Sequence, residues 1–465
     1  MKWTKMQEYA LEKMRSGCNV FLTGEAGTGK SEIVKAFIEE AEASEKNILV
    51  TAPTGIAADG LGGETLHRTF DAEIGVISNR KRPKSRNDLM EITDIIVIDE
   101  ISMCRIDLFE YVASIIMTEN NFRNQERDEQ RLGIRSEKEE IRDIQLIVLG
   151  DFLQLPPVVT KDDAEMLPRF FPNIKKGYAF ESPIWDFMGF ECINLTEIVR
   201  QDDAIFKKIL SRIRVGKDKQ ACVDFLMRQS STTPFNNESS IYLCGFNKKV
   251  NEVNEYQLGQ LPGKLYSFYA DADGDIKASD KFAEDTIQLK EGCKIMLTVN
   301  DPSGEYKNGT MAKFIGTEEP EWSEYAWIIA RVTSGPQKGN VIKIGRITKE
   351  VTKPVPVTKE RKMKYIDENG DTKTKVEEYS VIEHERVGFF TQYPIKLAYA
   401  ITIHKSQGQT FDYVNIDPYC WDDGQFYTAV SRGKKLENIC FMSDVRAKYI
   451  KTSPVILKKF SSILK

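Results

Sequence analysis

Gly24-Glu25-Ala26-Gly27-Thr28-Gly29-Lys30-Ser31 fits the pattern G-x-x-x-x-G-K-[ST], a loop whose glycines let backbone N–H groups curl around phosphate oxygens. It follows the apolar run Asn19–Thr23 and opens the helical pattern Glu32–Ala41, so the positive end of a helix points at the same phosphates. In this context Gly24, Ala26, Gly27, Thr28 and Gly29 form the cradle, Lys30 reaches the β- and γ-phosphates, and the Ser31 hydroxyl ligates Mg²⁺. A second stretch, Ile95-Ile96-Val97-Ile98-Asp99-Glu100, is an apolar strand ending in two carboxylates. That pattern puts Asp99 beside Mg²⁺ and Glu100 beside an attacking water. A kinase needs no water-activating glutamate, whereas a hydrolase does, so the two stretches together predict ATP hydrolysis.

Outward from the loop, four apolar β-rich runs (Asn19–Thr23, Ile48–Ala52, Ile95–Ile98, Ile144–Leu149) alternate with helical patterns such as Glu32–Ala41 and Asp107–Met117. Short buried strands alternating with helices predict a parallel sheet with crossovers. The polar stretch Asn121–Asp143 reads as a solvated helix or loop between two strands. A second alternating block begins near Ile184 and takes in Cys192–Leu195, Ile241–Cys244, Lys396–Ala400, Tyr413–Ile416 and Asn438–Phe441. The interval 289–389 reads differently, with Pro354-Val355-Pro356, a hairpin signal at Asn369-Gly370, and short strands at Tyr325–Val332 and Asn340–Ile344. It predicts a small antiparallel barrel inserted into the second α/β unit.

At 465 residues the chain is long enough for two to four domains. Its 65 Lys plus Arg against 70 Asp plus Glu give a net charge of −5, which excludes a uniformly basic surface but not a local basic groove. Eight cysteines without a CxxC pair and three histidines (His67, His384, His404) exclude a zinc site by spacing. Cys18, Cys192 and Cys244 sit in apolar runs and are expected in the core. The start, Met1-Lys2-Trp3-Thr4-Lys5, lacks an apolar signal region and no run reaches membrane-span length. The expectation is a soluble cytoplasmic protein with no membrane partner and no targeting segment.

Further motifs narrow the reading: Thr51-Ala52-Pro53-Thr54-Gly55, Gly150-Asp151-Phe152-Leu153-Gln154-Leu155-Pro156-Pro157, Leu195–Gln201 (LTEIVRQ), Ala398–Thr410 (AYAITIHKSQGQT) and Tyr427–Arg432 (YTAVSR). In their order and residues, from Gln7 to about Lys434, they resemble the PIF (petite integration frequency) family of DNA helicases, in the RecD-like branch of superfamily 1, subgroup B. The resemblance implies an α/β fold of two RecA-like parallel-sheet lobes, with a small wedge insertion in the first and an SH3-like β-barrel in the second. The first lobe would occupy 1–183 with its wedge at about 68–90. The second would occupy 184–288 and 390–465, with the barrel at 289–389 between them.

The same resemblance assigns roles. Gln7 would read adenine, Gln154 would sense the γ-phosphate, and Arg200 and Arg432 would reach across the cleft from the second lobe, where a planar cation stabilises charge spreading over the transferring phosphoryl oxygens. Thr54, His67, Thr402, His404, Lys405 and Ser406 would face DNA, mainly its phosphates. Arg80 and Arg82, in the basic run Arg80–Arg86, would meet the duplex at the wedge. Asn247, Asn254 and the Asn308-Gly309-Thr310 turn are taken as architectural. The implied activity is ATP-dependent 5′-to-3′ translocation on single-stranded DNA with unwinding of the duplex ahead, forks, RNA–DNA hybrids and G-quadruplexes being left open as substrates. The implied partners are single-stranded DNA and duplex junctions, met by a monomeric or DNA-assembled protein. Two alternatives stay open: an RNA or RNA–DNA hybrid helicase, and a nucleotide-switched single-strand-binding ATPase that does not separate strands.

Overall fold

The computed structural model describes residues 3–78, 88–132, 134, 141–197, 203–236, 240–274, 276, 281–319, 325–333, 337–366 and 372–463. The expectations placed on Arg80, Arg82 and Arg200 lie outside them. Among the described residues the first lobe is a six-stranded parallel sheet in the order β3-β2-β4-β5-β1-β6. Its strands are β1 (Val20–Gly24), β2 (Ile48–Ala52), β3 (Glu64–Thr65), β4 (Ile95–Ile98), β5 (Gln145–Leu149) and β6 (Glu191–Leu195). β1, β4 and β5 are buried along their whole length, which is why they read as unbroken apolar runs. Because β5 lies between β1 and β4, the carboxyl ends of these strands bring Gly24, Gly150 and Asp99 to one edge. Helix α1 (Lys5–Arg15) starts at a capping box between Thr4 and Gln7 and buries Ala10, Leu11 and Met14 in the core it shares with α2 (Lys30–Ala43).

The second lobe is a parallel sheet in the order Ala400–Thr402, β7 (Ser240–Cys244), Tyr413–Ile416, Ile439–Phe441. The chain therefore has two RecA-like α/β lobes. The antiparallel insertion runs in the order Val341–Ile344, Trp327–Val332, Met311–Glu318, Lys294–Leu297, Ile395–Leu397. The pair Tyr266–Tyr269 and Thr286–Leu289 closes over the same core, which holds Leu289, Ile295, Phe314, Ile328 and Ile395. The hairpin signalled by Asn369-Gly370 is flanked by arms of 20 and 21 residues, Ile347–Ile366 and Thr372–Gln392, far longer than the short strands expected; the turn itself lies outside the described residues.

Several expectations need correction. Glu191–Leu195, read as part of the second block, pairs in parallel with β1, so the first lobe extends past 183 to Leu195. The antiparallel strands begin at Tyr266 and end at Leu397, beyond 289–389 on both sides. The run Lys396–Ala400 is divided: Ile395–Leu397 pairs with Lys294–Leu297 of the insertion, and Ala400–Thr402 with β7 of the lobe. The polar stretch after Asn121 continues the helix Ile106–Arg131, and its Arg123 is buried rather than solvated. The Arg123 guanidinium donates to the carbonyls of Met90, Glu91, Thr93 and Arg142 at 2.8–3.1 Å, and to Glu119 Oε1 at 3.2 Å. Of the three cysteines expected in the core, Cys244 is buried, whereas Cys18 and Cys192 are exposed; all eight are free.

The carboxyl-terminal helix Pro454–Lys459 leads back onto the first lobe. There the Phe460 ring stacks on Phe152 (5.4 Å between centroids) and meets Phe21 and Phe180 at 5.5 and 5.2 Å. Asn194 Nδ2 donates to the Ile463 carbonyl at 2.6 Å, fixing the end of this segment against β6. Replacing Phe460 with alanine is expected to lower the stability of the first lobe by about 3–5 kcal/mol, measured by urea denaturation; a loss under about 1 kcal/mol contradicts the docking.

Candidate active site

The loop after β1 leads into α2 through Gly29, whose φ of +80° suits glycine and turns the chain into the helix. A Cβ on Gly24 would lie 2.5 Å from the Leu195 carbonyl oxygen, so the start of the loop is drawn tight against β6. Lys30 Nζ donates to the carbonyls of Gly24 and Glu25 at 2.8 and 3.1 Å, which poises the ammonium over the cradle. Burial pushes its pKa down, while the carboxylates of Asp151 and Glu100 hold it up.

Asp99 and Glu100 close the opposite side. Burial, then the neighbouring Glu100 charge, pushes the Asp99 carboxyl up to about 8. A buried carboxylate with this penalty and the Ser31 hydroxyl, which lines the same cavity, are a donor set that fits Mg²⁺, which takes few protein oxygens and keeps its waters. Glu100 has φ +48°, a sparsely populated conformation for a side chain with a Cβ. Its carboxylate Oε2 accepts from Gln407 Nε2 of the second lobe at 2.8 Å, and the same amide nitrogen reaches Ser102 Oγ at 3.2 Å.

Other second-lobe groups meet the loops after β1 and β5. Arg432 is buried: its Nε donates to the Thr428 carbonyl at 3.0 Å and its Nη1 to the Gln409 carbonyl at 3.2 Å. Its Nη2 crosses to Gln154 Oε1 at 3.3 Å. Arg214 makes a bidentate pair with Asp151, both bonds 2.9 Å and both side chains buried. Ser211 Oγ donates to Glu25 Oε2 at 2.8 Å, and the Ala26 N–H donates to the Tyr427 hydroxyl at 2.9 Å. Gly424 passes so close to the first lobe that a Cβ there would lie 1.8 Å from the Gln154 carbonyl oxygen. Gln7 lines the same cleft of about 1850 Å³, with Nε2 donating to the Thr28 carbonyl at 3.1 Å and Oε1 accepting from the Thr4 N–H at 3.0 Å.

The expected cleft residues Gln7, Gly27, Gly29, Lys30, Ser31, Asp99, Glu100, Gln154 and Arg432 thus line one cavity. The expected DNA-facing groups lie at strand ends. Thr54 follows β2, its hydroxyl accepting from the Ala57 N–H at 3.4 Å; Thr402 ends its strand and its hydroxyl accepts from the Lys405 N–H at 3.4 Å. His67 lies in the short helix Leu66–Thr69, and both His67 and His404 are held below the usual histidine range by burial. Ser406 departs from expectation: it is fully buried and its hydroxyl donates to the Ile403 carbonyl at 2.7 Å, so it shapes the turn rather than meeting a strand. Gln407 and Tyr427 lie inside motif segments yet carried no assigned role. Ser211 and Arg214 lie on an ordinary amphipathic helix, Ala204–Arg214, with no local signal.

A family model described as PIF1-like helicase matches residues 4–221, and one described as UvrD-like helicase C-terminal domain matches 397–440. The chain is 29% identical to the ATP-dependent DNA helicase Pif1 of Psychrobacter sp. over 93% of its own length and 67% of that protein. It is 31% identical to the ATP-dependent DNA helicase PIF1 of Xenopus laevis over 99% of its length, spanning 64% of that protein. Among solved structures it is similar to Bacteroides Pif1 bound to single-stranded DNA, with TM-score 0.77, 27% identity, and 99% and 97% of the two chains covered. Replacing Gln407 with leucine, which deprives the Glu100 carboxylate of its donor, is expected to lower kcat for ATP hydrolysis by about tenfold while KM for ATP stays within about twofold; steady-state kinetics with unchanged kcat contradict this.

Proposed function

We propose that the chain, which matches the PIF1-like helicase model over residues 4–221, is a helicase of that kind: an ATP-driven motor that moves 5′ to 3′ along single-stranded DNA and separates the duplex ahead of it. The observation that carries this reading is the Gln407–Glu100 bond. Gln407 lies in the same short segment as Thr402, His404 and Lys405, so one stretch of chain adjoins both the water-activating carboxylate and the strand ends expected to hold DNA.

In this mechanism ATP enters the cleft with its phosphates on the loop after β1 and its base beside Gln7. Ser31 Oγ and the Asp99 carboxylate are the groups that would hold Mg²⁺, which when bound neutralises charge on the phosphate oxygens. Glu100 orients the attacking water and accepts its proton. Gln154 and Arg432 meet at the γ-phosphate edge, where the planar guanidinium stabilises the spreading negative charge. Loss of the phosphate weakens the groups that bridge the lobes, and unequal grip on the strand in the closed and open states gives directed steps. Thr54, His67, Thr402, His404 and Lys405 supply that grip, and the basic run containing Arg80 and Arg82 binds duplex phosphates at the junction. We place the protein in the cytoplasm as a monomer or an assembly formed on DNA; among the described residues no helix is long and apolar enough to cross a membrane.

Strand displacement on duplexes with a 5′ or a 3′ single-stranded tail, in DNA and RNA versions, tests the proposal. ATP-dependent displacement of the 5′-tailed DNA is expected, and displacement from the 3′ tail alone, or of RNA alone, contradicts it. Glu100→Gln should bind ATP and single-stranded DNA yet hydrolyse about 10²–10⁴-fold more slowly; near-normal turnover removes Glu100 from the proton-accepting role.

A further inference from the structure

At the carboxyl edge of the second-lobe sheet the chain turns out of β7 at Gly245-Phe246, out of Tyr413–Ile416 into Asp417–Trp421, and out of Ala400–Thr402 into His404. These three exits are knit together. The Ile403 N–H donates to the Cys244 carbonyl at 3.0 Å, the Asp417 N–H to the Leu243 carbonyl at 2.9 Å, and Trp421 Nε1 to the Gly245 carbonyl at 3.1 Å. The result is a cluster of rings: Phe246 lies 5.5 Å from Tyr419 and 6.1 Å from Trp421, tilted by only 31° to each, and Tyr419 meets Tyr449 edge-on at 5.5 Å. Phe246, Tyr419 and Trp421 remain 40%, 51% and 46% exposed, so three large rings present open surface where the sheet could have buried them.

What surrounds the rings decides what they suit. The Ile403 bond to the Cys244 carbonyl sets the Thr402–Lys405 segment against the strand that leads into Phe246, so the cluster is continuous with that segment. Asp422 and Asp423 form an acidic rim, tied to Lys176 of the first lobe at 4.0 and 3.6 Å, and Lys451 Nζ is occupied by the Trp421 carbonyl at 2.7 Å. An acidic rim repels phosphates, so the patch is unsuited to the DNA backbone. A nucleobase needs no positive charge, because it gains by stacking its π-face on an aromatic ring. Only an unpaired base offers that face, since the bases of a duplex already stack on one another.

We propose that Phe246, Tyr419 and Trp421 form a stacking platform for an unpaired base of the bound strand, with its phosphates passing on the Lys405 side. This rests on the motor reading above and adds a contact that selects single strand over duplex at the second lobe. The binding of the full chain to an oligothymidylate and to an abasic oligonucleotide of equal length, each labelled and titrated by fluorescence anisotropy, tests it. Phe246→Leu with Tyr419→Leu should weaken binding of the thymidylate strand roughly 5- to 100-fold and leave the abasic strand within about twofold, whereas Phe246→Tyr with Tyr419→Phe should restore thymidylate binding. Unchanged thymidylate binding in the leucine variant overturns the platform, as does an equal loss on both strands, which would mark a structural role. A wild-type chain that binds neither strand overturns the motor reading along with it.

Discussion

The arrangement of the lobes turns on one buried ion pair, Arg214 with Asp151, which spans the cleft through two bonds of 2.9 Å. Removing both charges from water is costly, and only a bidentate geometry held on both sides offsets that cost. Asp151 follows β5 in the first lobe, and Arg214 ends the helix Ala204–Arg214 of the second. Once they meet, Ser211 reaches Glu25, Tyr427 reaches the Ala26 N–H and Arg432 reaches Gln154, while Gly424 comes up against the Gln154 backbone. The loops after β1 and β5 are thereby gripped by second-lobe groups at the cleft, on the side proposed to face the γ-phosphate.

The same closure ties the cleft to the strand ends proposed to hold DNA. Gln407 holds Glu100 from a turn whose other residues adjoin the strand end at Thr402 and His404, and in the proposed motor a change at the carboxylate is passed along this short, hydrogen-bonded segment. Phe460 adds a second tether by packing the end of the chain among the aromatic rings beneath β1 and β5. In the proposed motor, closing and opening act against these contacts rather than about a free hinge.

Much of this was legible in the sequence, for a physical reason. β1, β2, β4 and β5 are short, apolar and followed by glycines or carboxylates, so composition locates both strands and site, and Lys30, Ser31, Asp99 and Glu100 fall in the cleft as expected. Sheet membership was not legible for Glu191–Leu195, because a strand's own pattern does not say which neighbour it pairs with. The strand Asp271–Gly274 is polar and exposed, without the alternation that marks a strand. Arg123 looked solvated because the carbonyls that receive it come from residues about 20 to 30 positions away. The Arg214–Asp151 pair, 63 residues apart, leaves no trace in spacing.

The central claim is that the two lobes hydrolyse ATP as a unit through that ion pair. A double-mutant cycle with Asp151→Asn and Arg214→Met, read as ATP turnover stimulated by single-stranded DNA, tests it most directly. Each single variant should lose stimulation, and the double variant should be no slower than the worse single one, since the second change removes a group already deprived of its partner. Losses that multiply in the double variant would mean that the two residues act independently and would contradict the account.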